Sequence, residues 1–409
     1  MSYLDYRYVT TQLYQSGSTP NPIIGEFPFT RVNFTQQLSS IGVFTGEVLL
    51  SGLSGSQLNF DAATIPGKNA LYVFHGNTPI WSGVITAREY DSSTQIAKIT
   101  AREMTTYFEH RRISGFTSSS YYNANAGGTG VGGLVYGNSN TGVGVDPLVV
   151  MKDLLLGANA KAFGDIGVRY ASSNPTTVSG GSTIIRSFFD FELKTVYQAW
   201  KDLAQGSTYF DFVIKPRLAS NGIVNEIIVG TPTLGVNYSA SSTTSTNLHF
   251  PGNIVSYTIA EDATKIGNYL YGIGYGANQN RIISKYYDNG KLTSGGSWAL
   301  LEDAVNFIDI VTPALLATVT QGKLAAVSYP PTIVQVVMPS FIDPIYNQNV
   351  SGYYSIGDQA NVIIADDRFV TSVNGIYRII GIDVEPGDSG PDRITLTLNL
   401  PLATTLVAD

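Results

Sequence analysis

Two stretches of the 409-residue sequence decide its fold: WSGVITAREYDSSTQIAKITA at residues 81–101 and YRIIGIDVEPGDSGPDRITLTL at residues 377–398. In each stretch an aromatic residue opens a long apolar run, a polar turn follows, and a threonine-containing run of alternating residues returns. Strand, turn and alternating strand predict a β-hairpin. The shared plan predicts two similar β units, near residues 23–101 and 340–400, although two unrelated long hairpins would also look alike.

The composition and the spacing of apolar residues indicate a mainly β (α+β) fold with a few helices. Charged residues make up 13% of the chain, about half the average share, and 42 Gly and 25 Tyr suit turns and strands. Apolar residues at helical spacing predict helices that begin at Asp146-Pro147, Asp190 and Thr312-Pro313. A shorter helix is predicted over residues 102–112.

Changes in composition divide the chain into five predicted segments. Residues 114–145 are rich in Gly, Ser, Asn and Tyr, and we interpret them as a surface loop because they offer few core-forming side chains. A second polar loop is predicted at 236–247. The five segments are an N-terminal arm at 1–22, a first β domain at 23–112, an inserted mixed α/β region at 113–250, a mixed connecting domain at 251–338 and a second β domain at 339–409.

Several classes of site lack support in the composition. The chain has no Cys, which excludes disulfides and thiolate metal sites, and its scattered His75, His110 and His249 argue against a zinc site. No apolar run reaches the roughly 18 residues of a membrane span, and the first residues do not resemble a signal peptide. We therefore expect no membrane-spanning segment and synthesis and assembly in a cytoplasm. A net charge of −7 gives no overall attraction to nucleic acid.

Two local motifs invite a catalytic or cofactor interpretation. The glycines of residues 128–133 match G-x-G-x-x-G, but a dinucleotide site needs a strand before and a helix after the motif, and loop sequence flanks this one. At Glu109-His110-Arg111-Arg112 a general base with Arg stabilisers is conceivable. A solvated helix end is the favoured interpretation there, because no second catalytic group stands at a diagnostic spacing.

Carboxylate pairs are the remaining candidates for chemistry. Glu261-Asp262 and Asp366-Asp367 would have to face one cleft to hydrolyse a glycoside, yet neighbours on a strand point to opposite faces. We expect His75 and His249 to be ordinary polar surface residues. We therefore predict no catalytic, cofactor or metal site and a protein that is not an enzyme.

A series of short motifs runs in a fixed order along residues 70–382. The series begins with ALYVF at 70–74, TPIWSGVI at 78–85 and TAREMTTYFEHRRI at 100–113. It continues in order with VYQAWKDLA at 196–204, GNYLYGIG at 267–274, IGDQANV at 356–362 and YRIIGI at 377–382. In its order and spacing this series resembles the minor tail proteins of long-tailed actinobacterial phages. The resemblance covers most of residues 40–400 and leaves out the glycine-rich stretch.

The resemblance implies a tail hub, or baseplate-hub-like, protein with two tube-type β-barrel domains that flank or enclose a mixed α/β middle region. It implies a homotrimer at the tail tip of the virion, whose six β domains form a pseudo-sixfold ring. Such a ring closes the tail tube, seats the distal tail protein ring and other minor tail or tip proteins, holds the tape measure protein and opens for DNA in transit. Because each phosphate contact would retain DNA, we expect acidic or uncharged channel-facing strands.

Two other functions remain open at this level. A receptor-binding or cell-wall-carbohydrate-binding tail protein would suit the tyrosines and the Gly/Asn loops, but adhesins do not usually show this order of hairpin, helices and hairpin. A wall-degrading enzyme would need a carboxylate pair or metal site. Association with tail-tube rings, binding to cell-wall glycan and a zymogram on host cell wall distinguish the three.

Overall fold

The computed structural model describes residues 6–15, 20–138, 140–204, 210–220, 222–241, 246–261, 263–264, 266–292, 298–307, 310–328, 332–339, 354–365, 373–387, 392–399 and 407–408. The prediction of a mainly β fold with a few helices is confirmed. The helices are α1 Phe60–Ala63, α2 Pro147–Ala160, α3 Val196–Ala204, α4 Asn289–Leu292 and α5 Pro313–Val327. The strands are β1 Tyr6–Gln12, β2 Ile23–Glu26, β3 Thr30–Gln37, β4 Val43–Leu49, β5 Asn69–His75, β6 Thr78–Asp91, β7 Ile96–Glu103, β8 Tyr122–Asn123, β9 Gly133–Tyr136, β10 Val168–Tyr170, β11 Arg186–Phe189, β12 Asp211–Ala219, β13 Gly222–Gly230, β14 Thr246–Phe250, β15 Ser256–Glu261, β16 Tyr269–Ile273, β17 Ile283–Tyr287, β18 Glu302–Asn306, β19 Thr332–Pro339, β20 Gln359–Ile364, β21 Val373–Glu385, β22 Arg393–Asn399 and β23 Val407–Ala408.

One long sheet organises the molecule. Its strand order in the described residues is β15-β19-β22-β21-β3-β4-β7-β6-β5-β1-β2, and β20 pairs with β21 and carries β14 beside this path. We call strands β1 to β7 the first β unit, and strands β14, β15 and β19 to β22 the second β unit. The two units meet where β3 pairs antiparallel with β21, with Phe34 opposite Val384 and Gln37 opposite Gly381. We call this contact the β3–β21 joint. Across it the Asn33 side-chain amide donates a 2.8 Å hydrogen bond to the Asp383 carboxyl.

The two predicted hairpins are present and share a plan. Along its first half, β6 pairs with β5, and β21 likewise pairs with β20. Along their second halves these two strands pair with the return strands β7 and β22. In both hairpins the register shifts where the partner changes, between Ile85 and Ala87 in β6 and between Ile379 and Gly381 in β21. The similarity between the two hairpins that is seen in the sequence therefore extends to backbone pairing in the two β units.

Two hydrophobic cores support this sheet. The first core contains buried side chains of both β units, among them Phe44 and Trp81 from the first and Val334 and Leu396 from the second. The second core lies between the outer side of the first unit and the middle region, where Trp200 of α3 is fully buried. Full burial of a large apolar side chain is worth about 1.5–3 kcal/mol, so both interfaces are substantial.

The middle region contains α2, α3, two three-stranded sheets and their connections. Helix α2 begins as predicted: the Asp146 carboxylate accepts a 2.8 Å hydrogen bond from Leu148 N, and Pro147 occupies the first turn. The predicted start of the next helix at Asp190 is wrong. Asp190 belongs to a 3₁₀ turn, Leu193 has a φ of +48° that interrupts the helix, and the Thr195 hydroxyl accepts from Gln198 N at 3.0 Å at the start of α3.

The third part is a small sheet of β16, β17, β18 and β23. Strand β16 pairs antiparallel with β17, with Tyr269 opposite Tyr287. Helix α5 begins at Pro313 as predicted and packs against these strands. Its buried Leu316 and Val319 form a small core with Ile310.

Three further expectations need correction. Residues 6–12 are not an arm, because β1 pairs with both β5 and β2. The stretch 114–145 is not a loop without core residues, because Phe116, Leu134 and Tyr136 are buried and β8 and β9 pair within it. The short helix predicted over residues 102–112 is replaced by the end of β7 and a 3₁₀ turn at Met104–Glu109.

The boundaries of the second β unit also differ from the expected division. β14, β15 and β19 were assigned to the middle and connecting segments, but they pair with strands of the second unit. The connecting segment therefore contributes both to the long sheet and to the small sheet.

Arg378 ties the second β unit to the middle region. Its guanidinium donates to the Asp211 carboxylate, to Leu234 O at 2.9 Å and to Gly357 O at 3.0 Å. The side chains of Arg378 and Asp211 are only 15% and 16% exposed. Loss of either partner would leave a mostly buried charge without its counter-charge.

We predict that Arg378→Met lowers the free energy of unfolding by about 3 kcal/mol, because Asp211 stays buried and unpaired. Arg393→Met in the same hairpin is the matched control. Its side chain is 58% exposed and pairs with Glu385 at 3.5 Å, so a change within about 0.5 kcal/mol is expected. Urea denaturation of the two variants measures the difference, and equal effects would contradict the role assigned to Arg378.

Glu103 is a buried carboxyl at the end of β7. It is 8% exposed and accepts a 2.6 Å hydrogen bond from Gly42 N in the turn between β3 and β4. Burial raises the pKa of Glu103 to about 8, and the backbone N–H groups of Gly42 and Gln37 oppose this only in part. The folded protein therefore holds a neutral carboxyl at this position at neutral pH.

The raised pKa of Glu103 predicts a pH dependence of stability. Between pH 4.5, the ordinary value, and about 8 the unfolded chain releases the proton that the folded chain keeps, so the free energy of unfolding falls as pH rises. Glu103→Gln does not titrate. As pH rises through this window, the free energy of unfolding of the Glu103→Gln variant should therefore increase relative to that of the natural protein, by up to about 1.4 kcal/mol per pH unit. Thermal or urea unfolding from pH 5 to 9 measures this, and parallel profiles would contradict it.

Candidate assembly surface

The eight strands from β15 to β6 present a polar side that faces away from the first core. Burial alternates along β4, β7 and β22: in β22, for example, Ile394, Leu396 and Leu398 are buried while Thr395 and Thr397 are not. We call this side the polar face. Its uncharged polar side chains include Asn33, Thr35, Gln37, Thr45, Thr100, Thr258, Gln335, Thr395, Thr397 and Asn399.

Charges on the polar face are balanced locally. In the described strands it carries four cations and five carboxyl groups: Arg31, Lys98, Arg102, Arg393, Glu47, Glu89, Asp91, Asp383 and Glu385. Lys98 lies directly between Glu47 and Glu89 of the neighbouring strands. Arg31 pairs with Glu47 at 3.0 Å, and Arg102 pairs with Glu109 at the same distance. The cations therefore face carboxylates and leave no basic stripe.

The two ends of the eight-stranded part have open edges. Over the described residues, β15 pairs only with β19, and the second half of β6 pairs only with β7. An unpaired edge leaves backbone N–H and C=O groups available to a strand of another chain. Such edges are places where β-sheet proteins add strands.

The two edges correspond to the two strands of the β3–β21 joint. Part of the first β unit has the strand order β3-β4-β7-β6, and part of the second has β15-β19-β22-β21. Strand β15 therefore occupies the position in the second unit that β3 occupies in the first, and β6 is in the same way the equivalent of β21. Thr100 lies opposite Ala87 and Thr397 lies opposite Gly381, each directly after the register shift. Counting three residues further along each strand makes Tyr90 the counterpart of Val384.

Exposure differs sharply at these equivalent positions. Val384 is 1% exposed because β21 has a strand on each side at this position, β22 and β3. Tyr90 is 55% exposed, and here β6 has only β7 beside it among the described strands. At the other edge Ile259 of β15 is only half-buried although it packs against the first core. Sequence reasoning missed Tyr90 and Ile259. An alignment of the two hairpins would have found Tyr90, since it matches a core residue.

The residues proposed from sequence motifs are not brought together. Gly128 and Gly130 have φ values of +116° and +79° in a turn, and strand β9, not a helix, begins at Gly133. The motif therefore lacks the helix N-terminus that a pyrophosphate needs.

The Glu109–Arg112 group has structural partners. Glu109 accepts from Arg102, Arg111 donates to Ala158 O at 2.9 Å, and Arg112 donates to Leu193 O at 3.2 Å. His110 is exposed. These contacts tie the 3₁₀ turn after β7 to the middle region, and they give the group a structural role.

The other candidates that the structure describes lie on three different strands. His75 is half-buried at the end of β5, where its ring meets Tyr6 edge-on at 5.2 Å, and His249 is exposed on β14. Glu261 is exposed at the end of β15, while Asp262, Asp366 and Asp367 lie outside the described residues. Among the residues that the structure describes, no three His, Cys, Asp or Glu side chains are placed to hold a metal ion.

No helix in the described ranges is both long and apolar enough to cross a membrane. No protein-family model and no curated protein matches the sequence. Solved structures with a similar fold include a tail protein from Neisseria meningitidis MC58, with 12% identity, a TM-score of 0.50 and 96% of each chain covered. Another is the 43 kDa tail protein of prophage MuSo2 from Shewanella oneidensis, with 12% identity, a TM-score of 0.52 and coverage of 96% of this chain and 98% of that chain. The chain thus has the fold of these phage tail proteins over nearly its whole length.

Proposed function

We propose that the protein is a structural tail-tip hub, in which three copies form a pseudo-sixfold ring that closes a phage tail tube. The observation that carries the proposal is the correspondence between the β3–β21 joint and the two open edges. Within one chain, β21 of the second unit pairs with β3 of the first. The same contact between chains would pair β6 of one copy with β15 of the next.

The joint gives the register of this contact. The pair Val384 and Phe34 within one chain corresponds to Tyr90 of one copy opposite Ile259 of the next. The pair Asp383 and Thr35 corresponds in the same way to Glu89 opposite Ala260. The exposed Tyr90 ring would then cover the half-buried Ile259, as Val384 and Phe34 cover each other in the joint. Pairing would also satisfy the open backbone groups on both edges.

Closure with three copies gives six β units around one axis. The number three rests on the resemblance to tail hub proteins, and it matches a sixfold neighbour such as the distal tail protein ring. Solved phage tail proteins with this fold support a place in a tail. We propose the virion tail tip as the location, with assembly in the host cytoplasm and with the tape measure protein and other tip proteins as neighbours.

The polar face would line the channel of such a ring. Threonine, asparagine and glutamine side chains with locally paired charges offer DNA few free cations, so phosphates would pass without a strong electrostatic hold. This lining suits transit and not storage or specific binding. The proposed role is therefore structural and not enzymatic.

We predict that Tyr90→Asp prevents ring formation, because it places a charge opposite Ile259 in the desolvated contact. Loss of such an anchor typically weakens association by about 2 kcal/mol or more, roughly 30-fold. Tyr275→Asp is the matched control, since Tyr275 is 49% exposed but lies outside the long sheet. Sedimentation velocity across a concentration series compares both with the natural chain. Equal association of the two variants would contradict the β6–β15 contact.

We also predict that the assembled natural protein does not bind double-stranded DNA tightly at physiological salt. A Thr45→Lys, Thr100→Lys, Thr395→Lys variant should bind, with an affinity that falls steeply as salt rises, because it adds cations to the polar face. Lysines at the exposed Ser172, Thr176 and Thr177 add equal charge elsewhere and should bind less. Fluorescence anisotropy measures the three proteins. Tight binding by the natural ring would contradict a channel for transit.

A further inference from the structure

A cavity of about 320 Å³ lies where the β12–β13 hairpin meets both β units. Its volume is at the lower end of the range for small-molecule sites. Its walls combine seven apolar residues with six polar ones, which include Arg217 and Glu226. The apolar part of its wall includes Ile80, Pro216, Ile228, Ile356 and Ile382. The cavity lies within one chain, so its occupancy does not depend on ring formation.

Lys215 supplies a cation to this cavity. It lies directly opposite Glu226 in the β12–β13 pair, but both Glu226 oxygens accept from Arg217, at 2.7 and 2.9 Å. Asp358, the other carboxylate near Lys215, accepts from Val236 N and Ser355 N at 2.7 and 2.6 Å. Within the described residues Lys215 therefore makes no hydrogen bond or ion pair of its own.

The surroundings of Lys215 disfavour an ammonium without a counter-ion. Its side chain is half-buried in the cavity wall, and this burial lowers its pKa although Asp358 partly offsets the effect. A carboxylate that enters the cavity would replace lost hydration with charge-assisted hydrogen bonds. The apolar wall would at the same time accept an aliphatic group next to that carboxylate.

We propose that this cavity binds a carboxylate carried on a short aliphatic group, with Lys215 as its counter-ion. Two sources share this chemistry: a free aliphatic acid, and an acidic side chain flanked by apolar residues on another chain. Sodium hexanoate is the probe for the first source. A capped Leu-Glu-Leu tripeptide, whose only carboxylate is the glutamate side chain, is the probe for the second.

Calorimetric titration of the full chain with hexanoate tests the proposal. At a binding efficiency between that of drug-sized ligands and the ceiling reached by the best very small ones, eight non-hydrogen atoms give a dissociation constant of about 1 mM for one site per chain. Lys215→Met should weaken binding at least tenfold, whereas Lys285→Met, which alters an exposed strand lysine of the small sheet, should leave it unchanged. Hexanol should bind at least tenfold more weakly than hexanoate.

A second variant tests the location of the site. Ile228→Phe narrows the cavity and keeps Lys215, so it should also weaken hexanoate binding, with thermal unfolding as the check that the chain still folds. Displacement of hexanoate by the tripeptide would identify a protein side chain as the occupant, and hexanoate binding without displacement would identify a free acid. Absence of saturable hexanoate binding, or undiminished binding to Lys215→Met, would overturn the proposal.

Discussion

Backbone pairing between β3 and β21 is the contact on which the rest of the architecture depends. It pairs residues that lie 344 to 350 positions apart in sequence, from Gln37 with Gly381 to Phe34 with Val384, and the first core contains side chains from both β units as a result. The middle region is then held against this double unit by Arg378 on one side and by the second core on the other. Without the joint, each β unit would expose an additional strand edge and part of an apolar layer.

The joint also explains why the two ends of the eight-stranded part have strand edges without a described partner. An internal repeat places the same strand types at an inner contact and at two outer edges. The covered Val384 and the exposed Tyr90 are the clearest sign of this difference. A repeat that satisfies one contact internally and leaves its equivalent open is suited to closed cyclic assembly, since each copy then offers the complement of what its neighbour lacks.

The sequence predicts local structure well where the signal is short-range. Alternation and turn residues locate β4 to β7 and the β21–β22 hairpin, and Asp146-Pro147 locates the start of α2, because these features depend on neighbours in the chain. Long-range pairing is not encoded in this way. Residues 6–12 have a polar and aromatic sequence that gives no hint of β5 as a partner, and Leu134 and Tyr136 are hidden in a glycine-rich stretch although both are buried. The candidate assembly surface could be recognised only in the structure, because the exposure of Tyr90 depends on which strands lie beside β6.

The most direct measurement uses the absence of cysteine from the natural chain. Glu89→Cys and Ala260→Cys introduced together place two thiols at directly opposed positions of the proposed β6–β15 contact, and oxidation of the associated protein is followed on a non-reducing gel. The account predicts covalent trimers from this pair and little cross-linking from the shifted pair Glu89→Cys with Ser256→Cys, because disulfides need close Cβ atoms. Associated protein that forms no intermolecular cross-links, or that cross-links equally well through the shifted pair, would contradict it.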